Sequence, residues 1–181
     1  MKKGLIIVLL AIMALVFSQS AFALTKQFNI TVTVSTINMD LRNHDDTDGY
    51  PGWDIIVGPA NAITMLENDL VKVIADSGGS PVNISTRILN QAGWTATDML
   101  PTGPDQFVLL AEGFDAKPTS PDPQTPIAMG NPRPITPGTM EPLVNTADGD
   151  AWLCYAFYAP NPDNTNNTQT IEIEVDVSPM P

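Results

Sequence analysis

The chain has one cysteine, Cys154, and one histidine, His44. A single cysteine excludes an intrachain disulfide. One of each excludes a zinc centre built from Cys and His alone, which needs four ligands. A Ser-His-Asp triad would have to use His44, and no nucleophile-elbow motif accompanies it. Basic residues are also scarce: eight Lys and Arg stand against 20 Asp and Glu, a formal net charge of −12. Such a chain is repelled by nucleic-acid phosphates and by anionic membrane surfaces. No stretch carries a convincing amphipathic-helix periodicity. The one long apolar run, Leu5 to Phe17, has 13 residues. As a helix it spans about 20 Å, short of the ~30 Å hydrocarbon core.

That run sits between Lys2-Lys3 and the small-x-small pattern Ala21-Phe22-Ala23. A positive start, a short apolar stretch and a small-residue cleavage site make a secretory signal. Residues 1–23 are therefore expected to be removed, leaving a domain over 24–181 with no stable membrane insertion. The rival reading is an uncleaved anchor. A lipoprotein is not indicated, because Leu24 stands where its cysteine would be. A type IV prepilin is not indicated either, because Leu5 to Leu10 include no acid. Loss of Lys2 and Lys3 takes the formal charge from −12 to −14. The expected location is secreted, on the cell surface or in the periplasm.

Beyond the signal, the residues alternate. Phe28, Ile30, Val32 and Val34 share one face, and Asn29, Thr31, Thr33 and Ser35 the other, the pattern of a half-buried strand. Ile37, Met39 and Leu41 continue it after a slip at Ser35-Thr36, read as a bulge. Short strands are expected at Trp53–Val57, Ile63–Ile74 and Gln106–Phe114. Ser77-Gly78-Gly79-Ser80 reads as a hairpin turn, with Val82, Ile84, Thr86 and Ile88 on the return strand. Ala151–Ala159 is apolar on both faces, as in a central strand. Thr170–Val177 alternates Ile171, Ile173, Val175 and Val177 against Glu172, Glu174 and Asp176. Between them, residues 118–142 include eight prolines in 25 positions. Proline has no donor for a sheet ladder, so this is a loop or edge excursion. The sum is an all-β chain: a single immunoglobulin-like β-sandwich of seven to eight antiparallel strands with a Pro-rich insertion at 118–142.

Each candidate site competes with a plainer reading. Asp45, Asp46 and Asp48 in His44–Gly49 offer the hard oxygens and bent loop that Ca²⁺ takes, with Asp148 and Asp150 as a second acidic turn. An EF-hand is excluded, because its first and twelfth positions are His44 and Ile55. Otherwise this is an acidic turn, and no cofactor is required. Trp53 and Trp94 could stack on sugars; tryptophans of a sandwich also pack in its core. Cys154, among Trp152, Leu153, Tyr155 and Phe157, reads as a small buried hydrophobe. Paired carboxylates for glycoside hydrolysis are open to any acidic chain. Here most acids fall in turns or on exposed strand faces, so a non-enzyme is expected. Phe28, Ile30, Val32 and Val34 carry the sharpest alternative. Their strand either pairs within its own domain or fills a neighbour by strand addition.

Several stretches resemble a loosely defined class of exported bacterial immunoglobulin-like sandwich proteins, mostly uncharacterised. They are WDIIVGP (53–59), VKVIADSGGSPVNISTRI (71–88), Trp94, DQFVLL (105–110), DAWLCYAFYAP (150–160) and the closing TQTIEIEVDV. That resemblance implies the fold and a surface or matrix role, and no catalytic residues. KQFNITVTVSTINMDL (26–41) is similar to the mature N-terminus of alpha-type chaperone–usher pilins, whose first strand passes to the next subunit. The Pro-rich 118–142 has no counterpart there. The expected function is a non-catalytic structural or interaction protein, in its most specific form a filament subunit donating residues 26–35. The alternative is a carbohydrate- or calcium-binding module. The expected partners are further copies of the chain or other surface proteins.

Overall fold

A computed structural model describes residues 38–55, 61–91, 93–100, 102–147, 149–161 and 169–180. These residues form ten strands and no α-helix. They are β1 (Asn38–Arg42), β2 (Ala62–Thr64), β3 (Val71–Asp76), β4 (Val82–Asn90), β5 (Thr95–Ala96), β6 (Gln106–Phe114), β7 (Arg133–Pro134), β8 (Glu141–Thr146), β9 (Asp150–Tyr158) and β10 (Glu172–Pro179). One sheet runs β1-β3-β9-β6, with β2 beside β9 and β5 and β7 on β6; the other runs β10-β4-β8. All pairings between strands are antiparallel except β5 with β6. The two sheets make the all-β sandwich that the alternation predicts.

Two expected elements change character. The apolar stretch from Ile63 to Ile74 is two strands, split by a 3-10 turn at Glu67–Asp69. β2 and β3 lie along the same side of β9 and divide its length between them. The turn Ser77–Ser80 is no hairpin. β3 belongs to the first sheet and β4 to the second, so the chain arches between layers. Gly78 and Gly79 still have positive φ, +63° and +82°, so the local turn chemistry was legible but not its partner. β8 was concealed because Pro142 lies inside it.

Alternation determines the core. Val82, Ile84, Thr86 and Ile88 of β4 face Val71, Val73, Leu109, Ala111, Leu153, Tyr155 and Phe157 of the first sheet, and all are buried. One polar chain crosses between the layers. The Thr86 hydroxyl donates to the Glu174 carbonyl (2.9 Å) and lies 3.3 Å from the Tyr155 hydroxyl. Thr86 has a single hydroxyl hydrogen, so the phenol donates to Thr86. Burial pushes the Tyr155 phenol up to about 12.

Cys154 and Ala156 alternate with these core residues and point away from the second sheet. They are nonetheless 0% and 2% exposed. The Pro-rich excursion covers them. The Ser120 amide donates to the Glu67 carboxylate, and Lys117 pairs with it at 3.3 Å. The Ile127 amide donates to the Met65 carbonyl, on the β2 side of β9. The Asn131 amide then donates to Glu112, on the β6 side, and Arg133-Pro134 pair with the outer edge of β6. The chain therefore recrosses β9 between Ile127 and Asn131. A central strand apolar on both faces follows from being the middle layer of three.

Candidate functional site

The acidic turn is built by its own side chains. The Asn43 carboxamide oxygen accepts from the Thr47 amide (3.0 Å), and Asp45 accepts from the Thr47 hydroxyl (2.6 Å). Asp48 accepts from the Gly49 amide at 2.8 Å. Asp46 takes up the left-handed conformation, φ 64°, at the bend. The turn folds back on β1, where Tyr50 donates to the Leu41 carbonyl and Gly49 bridges Arg42. The Thr47 hydroxyl holds the Asp45 carboxyl below its ordinary range.

The fold does bring the two acidic turns together, on a lysine. Lys72 Nζ lies 2.9 Å from Asp46 and 3.2 Å from Asp150. The same ammonium lies 5.5 Å from the centre of the Trp152 ring. Lys72 is 9% exposed, while both aspartates remain open to water. The hydrogen bond to Lys72 lowers the Asp46 carboxyl, and the same bond to Asp46 raises the Lys72 ammonium. Arg42 adds a second cation at 3.2 Å from Asp46. A divalent ion between these turns would have to displace Lys72 first. Among the described residues, no three His, Cys, Asp or Glu side chains group as metal ligands. Sequence reasoning passed over Lys72. Its signal was a lone cation inside the apolar strand Val71–Ala75.

The tryptophans are engaged in packing. Trp94 stacks on Phe157 with centroids 5.8 Å apart and planes at 28°, and leans on Phe107 at 6.2 Å. Trp53 is half-buried against the core. The buried Cys154 thiol is pushed up to about 12, first by burial.

Phe28, Ile30, Val32 and Val34 lie outside the described residues. What the structure describes is the point where their segment joins the fold. β1 begins at Asn38, which pairs with Asp76, the last residue of β3. Beyond Asp76 the chain arches into the other sheet, so β3 ends opposite Asn38. On the second sheet, β10 pairs with β4 in unbroken register from Ile173 to Pro179. Its other side meets no strand among the described residues. Ile173, Val175 and Val177 are only half-buried, whereas Val82, Ile84 and Ile88 beside them are fully buried.

No protein-family model matches this chain, and no curated protein does.

Proposed function

We propose that this is a non-catalytic, exported structural protein whose copies join through residues 26–35. The observation that carries the reading is the register at Asn38. The neighbouring strand ends opposite it, so β3 offers no further pairing beyond that position. The alternation of Phe28, Ile30, Val32 and Val34 suits strand addition, where main-chain bonds give affinity and alternate side chains give fit. The acidic turn supports the reading in a second way. Its carboxylates are bonded to Lys72, Arg42 and Thr47, so its charge acts in binding the chain to itself. The export signal read at residues 1–23 supplies the location, outside the cytoplasm on the surface or in an extracellular matrix.

The test is deletion of residues 26–35 from the exported full chain. The shortened protein is expected to fold, with strand content and cooperative melting retained, and to sediment as a monomer. Assembly at the level of the intact chain would contradict the reading.

A further inference from the structure

The chain has one Asp-Pro pair, Asp122-Pro123, and the fold places it at the outer turn of the Pro-rich excursion, where residues 121–126 are all exposed. The turn is nevertheless fixed. The Asp122 carbonyl oxygen accepts two hydrogen bonds, from the Ser120 hydroxyl (2.7 Å) and the Thr125 amide (2.8 Å). The Asp122 carboxyl accepts from the Gln124 amide at 2.9 Å. That bond closes the side chain back onto the backbone between Asp122 and Gln124, which includes the peptide bond to Pro123. Both flanks are pinned beside the 3-10 turn: the Ser120 amide donates to Glu67, and the Ile127 amide to the Met65 carbonyl.

We infer that Asp122–Pro123 is a self-cleavage site, at which the Asp122 carboxyl cuts its own peptide bond and leaves the sandwich folded. A carboxyl oxygen of Asp122 adds to the Asp122 carbonyl carbon and closes a cyclic anhydride, the role of an internal nucleophile. The two donors on the carbonyl oxygen face the negative charge that builds there during attack, as in an oxyanion hole. The bond from that carbon to the Pro123 nitrogen breaks. The nitrogen takes a proton from solvent and leaves as a secondary amine, the product that a tertiary amide releases. Water then opens the anhydride and restores both carboxyls of Asp122. The net change is one peptide bond hydrolysed by one water, once per chain, so no turnover of a separate substrate is involved. The products stay interlocked. The first piece carries β1 to β6 and the second β7 to β10. β9 of the second piece lies between β3 and β6 of the first, and β4 of the first lies between β10 and β8 of the second. The cut therefore frees two ends of the cover over Cys154 without removing any sheet pairing.

The test follows purified full chain, kept with protease inhibitors at about pH 5, by intact-mass spectrometry under denaturing conditions. The expected products end at Asp122 and begin at Pro123, and they elute as one species in native size exclusion. Ser120→Ala removes one donor from the carbonyl and keeps the dipeptide. Asp122→Glu keeps the carboxyl and enlarges the ring it must close. Each variant, its folding checked by melting, is expected to cleave roughly tenfold more slowly or less. The unaltered chain in urea carries the same pair without the turn and is expected to slow by a similar factor. A chain still intact after weeks would overturn the inference. So would equal rates in Ser120→Ala and in urea, which would reduce the event to the ordinary lability of an Asp-Pro bond. An equal rate in Asp122→Glu would overturn the side chain as nucleophile, and fragments that part in native buffer would overturn the interlocked product.

Discussion

At the residue scale the informative side chain is Lys72. A lysine on a strand between Val71 and Val73 is held by two carboxylates and an aromatic face. It ties three parts of the chain, the turn at Asp46, β3 and the start of β9. Both shifts have the stabilising sign. The Asp46 carboxyl is lowered, so its contribution is present above its ordinary value of 3.8 and is lost as pH falls through the lowered one. The Lys72 ammonium is raised, so its contribution is present below 10.5 and is lost as pH rises through the raised value. Lys72→Met keeps the stem over Trp152 and removes the charge. Its melting temperature is expected to fall below that of the intact chain between the ordinary values of 3.8 and 10.5, with the gap closing as pH falls through the lowered carboxyl value. Thermal melts across that range check it. A gap that persists unchanged into acid would show that the clasp contributes nothing.

At the element scale, what could be read from the chain depended on whether a strand's partners leave a mark on its own residues. β6 and β9 were legible because each carries a continuous apolar run, Phe107–Ala111 and Ala151–Tyr158. Alternation says which face is buried and nothing about which strand lies alongside. That is why Ser77–Ser80 read as a hairpin and proved to be an arch, since both need the same positive-φ glycines. β8 was hidden because proline is normally a mark against a strand, and an edge tolerates it. The acidic turn was legible as a turn, but its partner Lys72 lies 26 residues from Asp46 and left no local pattern. The Pro-rich excursion was legible as irregular, and its role as a third layer was not. Its hydrogen bonds go to Glu67, Met65 and Glu112, which only the fold brings within reach. Ile127, 4% exposed, anchors that layer. Ile127→Ala is expected to cost about 2–4 kcal/mol. The same variant is expected to open the cover and speed alkylation of Cys154 in the folded protein. Thiol labelling at pH 8 compares the two chains. Equal labelling rates with equal stability would show that the excursion is mere decoration.

At the scale of the whole molecule the sandwich is unevenly finished. In its first sheet the outer face of β9 is covered by the Pro-rich excursion. Its second has three strands among the described residues, a flank of acids along β10 and an apolar row that no described strand completes. The formal charge of −12 opposes random association of copies. The proposed assembly would join such molecules through a segment, residues 26–35, that has no acid and a single basic residue. Under the proposed joining through residues 26–35, a chain lacking them would be a terminator, able to receive a strand and unable to donate one. The most direct test mixes that shortened chain with intact chain before assembly and measures the length distribution by sedimentation or electron microscopy. The account predicts assemblies that shorten steadily as the shortened chain's share rises. Lengths that do not change with its share, or intact chain that never leaves the monomer, would contradict it.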